Sequence, residues 1–207
     1  DDIFDPSAAP EKTRSKTPLT SKYHIFRALK QRGKGGVYQA IDISHDPPRI
    51  CIVKEGRQHG ETGWDGSDGH SMVENEANVL KSLATTGIGV PAVFDSFTAG
   101  EHFYLVQEFV EGDSLDKLLQ TRRRRLSFSA IAECAEALAR IIETIHQAGW
   151  VWRDCKPGNL MVGPNGELRP IDFEGAGRAG SDEITGWRTT GFSRPHSAEG
   201  AARFEDD

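Results

Sequence analysis

The stretch Trp152-Arg153-Asp154-Cys155-Lys156-Pro157-Gly158-Asn159 decides the fold of this chain of 207 residues. It sets Asp154 and Asn159 five positions apart, with Lys156 between them. Phosphoryl transfer needs a carboxylate that orients the attacking hydroxyl and accepts its proton, and a nearby oxygen ligand for Mg²⁺. A polar turn after a helix is the alternative. Asp154 suits the first role and Asn159 the second, and the complete eight-residue pattern favours this interpretation over a plain turn.

A second acidic motif, Ile171-Asp172-Phe173-Glu174, follows closely. The turn sequence Gly163-Pro164-Asn165-Gly166 lies between the apolar segments Leu160–Val162 and Leu168–Ile171, and this pattern predicts a hairpin. The hairpin returns Asp172 toward Asn159, so both side chains are predicted to ligate one Mg²⁺. An isolated Asp after a strand would not indicate a metal site, and it is the spacing from Asn159 that does.

In the first half of the chain, the short apolar segment Ile50–Val53 leads directly to Lys54. A buried lysine needs a carboxylate partner, and the segment Val73–Leu83 has apolar residues at helical spacing around Glu76. Glu74 is the rival partner, but it lies about 200° away around the helix. Taken alone, Lys54 could also be a strand-end lysine that extends to solvent.

The remaining pattern divides the chain into a linker over residues 1–22, a β-rich part over 23–110 and a helical part over 111–207. Residues 174–207 show no clear element, and 56–69 read as a loop. A short helix is predicted over 114–120, and a longer one begins after a cap at Ser127 or Ser129 and ends at Gly149. The other predicted strands are Tyr23–Leu29, Val37–Ile43, Val93–Phe97 and Phe103–Phe109.

Composition excludes several classes of protein. The net charge of −6 argues against a nucleic-acid binder, and apolar runs are too short to cross a bilayer. The three cysteines form no Cys-x-x-Cys pair, which argues against a zinc site or a disulfide framework. We therefore expect a cytoplasmic protein that binds neither nucleic acid nor membrane.

These motifs resemble the protein kinases over roughly residues 23–196, which implies a two-lobed α+β fold with a β-rich first lobe. The resemblance implies ATP, with GTP left open, and Mg²⁺ as cofactors. It implies catalytic roles for Asp154, Lys156, Lys54 and Glu76, and metal ligation by Asn159 and Asp172. Backbone groups of Glu108 and Val110 would bind the adenine edge, beside Gln107 at the gatekeeper position. Trp152 replaces the family's histidine, and Glu174 replaces a glycine.

The turn after the first strand matches the family's glycine loop least closely. With Val37 aligned on the family's valine, only Gly35 is in register, because Lys30 and Arg32 occupy the other two glycine positions. The nucleotide-binding residues expected here are Gly33, Gly35, Gly36 and Val37. A plain hairpin turn remains the alternative, and Arg32 or Lys34 would add charge toward phosphate.

Several stretches, among them Val53-Lys54-Glu55-Gly56-Arg57-Gln58-His59, resemble the kinase domain of class III and class IV lanthipeptide synthetases. That family phosphorylates a ribosomal precursor peptide, and its lyase and cyclase domains then act on the product. The second lobe looks truncated, since the sequence after Thr189 and His196 stops early. Oligomerisation or another chain would then complete the core. The resemblance places Thr189 beside Asp154 and Lys156.

Other functions remain open. A bacterial Ser/Thr kinase acting on cellular proteins is one alternative, and a small-molecule kinase of the aminoglycoside type is another. A non-catalytic nucleotide-binding pseudokinase would explain the irregular glycine turn. The arginine run at 122–125 is either a solvated surface or a grip on an acidic peptide.

Overall fold

The computed structural model describes residues 18–60, 62, 66–121, 127–181 and 201–207, and only the backbone of Pro18 and Thr20. The predictions made for the arginine run at 122–125, Thr189 and His196 lie outside these residues. Within them, the two-lobed α+β fold expected from the sequence is confirmed.

The first lobe is an antiparallel sheet of five strands in the order β1-β2-β3-β5-β4, with one helix packed against it. Its elements are α1 (Pro18–Lys22), β1 (Tyr23–Arg32), β2 (Gly35–Asp42), β3 (Arg49–Arg57), α2 (Gly69–Leu83), β4 (Val93–Ala99) and β5 (His102–Glu108). The second lobe contains β6 (Asp113–Ser114), α3 (Leu115–Thr121), α4 (Phe128–Gln147), β7 (Trp150–Val151), β8 (Leu160–Val162), β9 (Leu168–Pro170) and β10 (Gly177–Arg178). Single 3₁₀ turns cover Pro157–Asn159 and Phe204–Asp206.

Several predicted boundaries were wrong for identifiable reasons. β3 runs four residues beyond Val53 because β2 and β5 pair with it on both sides as far as Gly56. α2 begins four residues before Val73, since Asp68 and Ser71 form a reciprocal capping box. The predicted loop over 56–69 is correspondingly shorter.

Short elements, among them α1, β10 and the turn Phe204–Asp206, lie in segments where the sequence predicted none. α1 occupies the end of the predicted linker, where Leu19 packs against a cluster of buried side chains that includes Tyr23. β10 pairs with β7, and the turn Phe204–Asp206 follows in the last described segment. Each of them is only two to five residues long, which leaves too few residues for a recognisable period.

Close backbone packing fixes the turn between β1 and β2 against the start of α2. A Cβ atom on Gly69 would lie 1.8 Å from the carbonyl oxygen of Lys34. Gly35 has a φ of +151°, and a Cβ atom there would lie 1.8 Å from the carbonyl oxygen of Glu55. Only glycine fits these two positions, so the turn, β3 and α2 are held at fixed distances.

A single hydrophobic core joins the two lobes. Leu80 and Leu83 of α2 and Leu105 of β5 belong to the same buried cluster as Ile145 of α4 and Trp152. Ser127 caps α4 by accepting a hydrogen bond from the Ala130 N–H (3.1 Å), which selects one of the two predicted caps. The hairpin β8–β9 forms where the sequence predicts it.

Part of the second lobe's apolar surface is exposed. Leu119 of α3, Phe128 and Ile131 of α4 and Phe204 are large apolar residues that face solvent among the described residues, and Phe128 is 86% exposed. The first lobe also exposes large apolar residues, among them Phe26 (55%) and Ile50 (49%), so the incomplete covering of the second lobe's core stays a prediction. The helices in the described ranges lack the length and apolar character needed to cross a bilayer.

Cysteine reactivity tests this packing. Burial raises the pKa of Cys51 and of Cys155 to about 11, whereas Cys134 lies half-exposed on α4. At about pH 8, iodoacetamide should therefore modify Cys134 in the native chain, and Cys51 and Cys155 only after unfolding in urea. Mass spectrometry of tryptic peptides measures this order. Fast native modification of Cys155 would contradict the packing described around the stretch 152–159.

Candidate active site

Lys54, at the middle of β3, is the centre of the charged cluster in the cleft. Its Nζ atom donates a hydrogen bond to Glu76 Oε2 of α2 (2.6 Å) and another to Asp172 Oδ1 (3.0 Å). A third carboxylate, that of Glu174, lies 3.5 Å away. The structure thus pairs Lys54 with Glu76, while the rival Glu74 is exposed and faces His70.

The three carboxylates share one ammonium group, and burial and neighbouring charges together set the pKa values of Lys54, Glu76 and Asp172. Burial favours the neutral form of Lys54, but Asp172, Glu76 and Glu174 outweigh it and hold the pKa of Lys54 well above its usual value. Burial raises the pKa of Glu76 to about 7 despite the opposing charge of Lys54. Burial acts on Asp172 in the same direction, yet Lys54 and two further lysines lower its pKa overall. Asp172 therefore remains an anion suited to a divalent cation.

The catalytic-loop residues form a second connected group. The Lys156 ammonium contacts both carboxylate oxygens of Asp154 at 2.8 Å. The Asn159 amide nitrogen donates to Asp154 Oδ2 (2.7 Å) and to its carbonyl oxygen (3.0 Å). Asp154 and Asn159 are both buried. The sequence prediction that these three residues act together agrees with this geometry.

Trp152 connects the catalytic loop to the metal-ligand segment. Its indole stacks on Phe173 with ring centroids 5.3 Å apart, and its Nε1–H donates to the carbonyl oxygen of Asp172 (3.0 Å). Phe173 N–H in turn donates to Glu76 Oε1 (3.2 Å). The tryptophan at the histidine position therefore supplies both packing and a hydrogen bond to Asp172, which has a φ of 65°.

Asp207 anchors the catalytic loop from behind and was missed by sequence reasoning. Its carboxylate accepts hydrogen bonds from the backbone N–H groups of Trp152 (2.8 Å) and Arg153 (2.6 Å). His146 Nε2 lies 2.9 Å from the same carboxylate. Arg153 has a φ of 65°, so these bonds hold the loop in a backbone conformation that costs free energy. An acidic residue in a polar segment carries no sequence signal for this role.

Glu108 and Val110 line a cleft of about 330 Å³ between the lobes, together with Lys54, Asn159 and Asp172. The Glu108 N–H already donates to the carbonyl oxygen of Ala92 (2.8 Å), so only its carbonyl oxygen can serve an adenine amino group. Among the described residues, no backbone–backbone hydrogen bond uses the N–H of Val110. The pairing of Glu108 and Val110 with an adenine edge stays a prediction.

The gatekeeper Gln107 is buried, and its Oε1 atom has no hydrogen-bond partner in the described part of the chain. Its side chain lines the same cleft. The end of this side chain is thus a polar group in the lining of the cleft.

Arg169 of β9 ties the second lobe to the hinge, another contact that the sequence did not reveal. Its Nη1 and Nη2 atoms donate to the two carboxylate oxygens of Glu108 (2.7 and 2.8 Å), and its Nε atom donates to the Gly89 carbonyl oxygen (2.7 Å). One guanidinium therefore connects β9, the segment before β4 and the end of β5.

The turn between β1 and β2 differs from an open glycine loop. Gly35 and Gly36 are buried in β2 and pair with residues of both β1 and β3, whereas Gly33 is exposed in the turn itself. Gly35, Gly36 and Val37 still line a small cavity beside Lys54. Gly33 does not line that cavity, although the sequence grouped it with the other three.

The side-chain oxygens of Asn159 and Asp172 fit an Mg²⁺ ion that is shared with a nucleoside triphosphate. Because the Asn159 amide nitrogen is bound to Asp154, its oxygen Oδ1 is the atom that can ligate a cation. Asp172 keeps Oδ2 available, since Lys54 contacts Oδ1. A hard cation held by one amide and one carboxylate oxygen, with phosphate oxygens completing the shell, is the usual arrangement for Mg²⁺.

Comparisons with known proteins agree with this geometry. The protein kinase domain family matches residues 23–195. Serine/threonine-protein kinase F of Synechocystis sp. is 31% identical over 88% of this chain, and serine/threonine-protein kinase PknA of Nostoc sp. is 28% identical over 70%. A probable SapB synthase of Streptomyces coelicolor is 30% identical over 74%. The chain spans only 40%, 25% and 17% of the length of these relatives, respectively.

Removing the Arg169 guanidinium should destabilise the junction of the lobes. We expect Arg169→Met to lower the free energy of unfolding by about 2 kcal/mol, because the partly buried Glu108 carboxylate loses both guanidinium donors and keeps the Ala92 N–H (3.1 Å). Urea unfolding measures the change. Arg140→Met, which removes an exposed pair with Glu136, is the matched control and should cost at most about 0.5 kcal/mol. If both substitutions lower the free energy of unfolding equally, the contact between Arg169 and Glu108 contributes no more to stability than an exposed ion pair does.

Proposed function

Because the chain belongs to the protein kinase domain family, we propose that it transfers the terminal phosphoryl group of ATP to a serine or threonine hydroxyl of a peptide. The observation that supports this most strongly is the position of Lys54, Asn159 and Asp172 around one cleft, with Asp154 hydrogen-bonded to Asn159. All four residues contribute groups that the reaction requires, and they come from three separate segments of the chain.

Each side chain has a definable task. Asp154 accepts the proton of the acceptor hydroxyl. The hydroxyl oxygen forms the new bond to phosphorus while the bond between phosphorus and the ADP oxygen breaks. Lys156, at 2.8 Å from Asp154, offers positive charge to the transferred group. Lys54 binds the α and β phosphates, and Glu76 keeps its ammonium in position. Mg²⁺ bound by Asn159 and Asp172 would neutralise the charge that develops on the phosphate oxygens.

For the acceptor, we propose a ribosomal precursor peptide, phosphorylated before lyase and cyclase domains of a longer enzyme act on it. Two observations support it: the stretch 53–59 with the Glu174 motif, and the relative named as a probable SapB synthase. The second candidate is a Ser/Thr kinase that acts on cellular proteins, which the relatives named as Ser/Thr protein kinases favour. The two acceptors require the same chemistry in the cleft, so only a comparison of the two substrates distinguishes the candidate functions.

Phosphate transfer to two acceptors tests the proposal. The protein that carries this chain should add phosphates to the precursor peptide encoded beside it, in the presence of ATP and Mg²⁺, faster than to casein. Asp154→Asn should lower kcat at least about 100-fold, because an amide cannot accept the hydroxyl proton. Asp116→Asn, on the exposed face of α3, is the control and should leave the rate unchanged.

Peptide mass spectrometry reads out both the rate and the number of phosphates. Preference for casein would favour the cellular-protein acceptor. Binding of ATP and Mg²⁺ without any transfer would favour the pseudokinase. Full activity of Asp154→Asn would remove Asp154 from its assigned role.

A further inference from the structure

The carboxylate of Glu174 lies between two ammonium groups, one from the turn between β1 and β2 and one from β3. Its Oε2 atom accepts a hydrogen bond from Lys34 Nζ, in the turn between β1 and β2, and its Oε1 atom lies 3.5 Å from Lys54 Nζ. All three side chains are largely buried, with 21%, 8% and 9% exposure for Lys34, Lys54 and Glu174. Two lysines that converge on one carboxylate define a position for an anion.

The surroundings of Lys34 are rich in positive charge. Four cationic side chains and two acidic ones line one small cavity beside Gly35 and Gly36: Lys30, Arg32, Lys34 and Lys54, with Glu55 and Glu174. Lys30 and Arg32 occupy two positions at which the glycine loop of the family would have glycine. Since Gly35 and Gly36 pair with both neighbouring strands, side chains rather than backbone N–H groups are the more available donors in this turn.

We propose that Lys34 is a second phosphate-binding lysine, and that the carboxylate of Glu174 and a phosphate of the nucleotide compete for Lys34 and Lys54. This rests on the proposed function only in that the cleft binds a nucleoside phosphate. A phosphate oxygen and a carboxylate oxygen make the same charge-assisted hydrogen bonds to an ammonium group. Lys34 thus supplies a side-chain donor to phosphate in a turn where Gly35 and Gly36 are already paired with both neighbouring strands.

The charge of this turn also reaches the metal-ligand residue. Burial raises the pKa of Asp172, but Lys54 and then Lys30 and Lys34 overcome it. The lysines of the turn are therefore close enough to act on groups at the metal site. A nucleotide phosphate bound near Asp172 would be attracted by the positive charge of the same lysines.

The competition predicts opposite effects for the two partners. Lys34→Met removes a phosphate contact and should weaken ADP binding about fivefold. Glu174→Gln removes the competing anion and should strengthen ADP binding by a similar factor. Glu174→Gln should strengthen ADP binding less in the Lys34→Met background, because part of its effect comes from releasing Lys34 from the Glu174 carboxylate. Adenosine has no phosphate, so its affinity should change less than about twofold in every variant.

Calorimetric titration of the full chain with ADP and with adenosine, each in Mg²⁺ and in EDTA, tests this inference. Lys117→Met and Glu136→Gln are matched controls, because they remove one positive and one negative charge from exposed pairs outside the cleft. Glu174→Gly, which restores the family's residue, replaces Glu174→Gln if that variant does not fold, and it should act in the same direction.

Three results would overturn the inference. The first is an ADP affinity that Lys34→Met leaves within twofold of its original value, and the second is an equal change in adenosine affinity. The third is a Glu174→Gln variant that weakens ADP binding only with Mg²⁺, which would make Glu174 a metal ligand. Absence of ADP binding by the unchanged chain would refute the proposed function as well. ADP binding that follows the predicted pattern without phosphate transfer would refute the proposed function alone.

Discussion

The ammonium group of Lys54 is the constraint on which the rest of the cleft depends. A charged lysine in this buried position is stable only while carboxylates surround it, and Glu76, Asp172 and Glu174 come from two different parts of the chain. Helix α2 must therefore lie close to β3, and the segment after β9 must reach the same point. The core that continues from Leu80 and Leu105 to Trp152 holds these parts together, so charge and packing determine the same arrangement.

Residues outside the cleft position the reacting groups. Asp207 fixes the backbone at Trp152 and Arg153, and the indole of Trp152 fixes Asp172 in turn. Each link is a hydrogen bond between a side chain and a backbone group, which sets position more firmly than contact between two long side chains. Asp154, the proposed proton acceptor, is thereby placed through the backbone of its two preceding residues.

Local sequence patterns predicted much of this arrangement and failed for identifiable reasons. The turn at 163–166 and the Asp154-to-Asn159 spacing are short-range features, so the hairpin and the catalytic loop could be predicted. Glu76 was separable from Glu74 because a helix turns by a fixed angle per residue. In contrast, Asp207, Arg169 and the Lys34–Glu174 pair join residues more than 50 positions apart. Their partners are determined by the fold as a whole, and polar residues in polar segments carry no periodicity that would reveal them.

The tryptophan in the catalytic loop has a spectroscopic consequence. An indole that is fully buried, stacked on Phe173 and hydrogen-bonded to the carbonyl of Asp172 emits light from an environment defined by the metal-ligand segment. Movement of that segment alters the polarity and quenching around the fluorophore. The indole of Trp152 therefore reports optically on the segment that carries Asp172, and a histidine there would not provide such a signal.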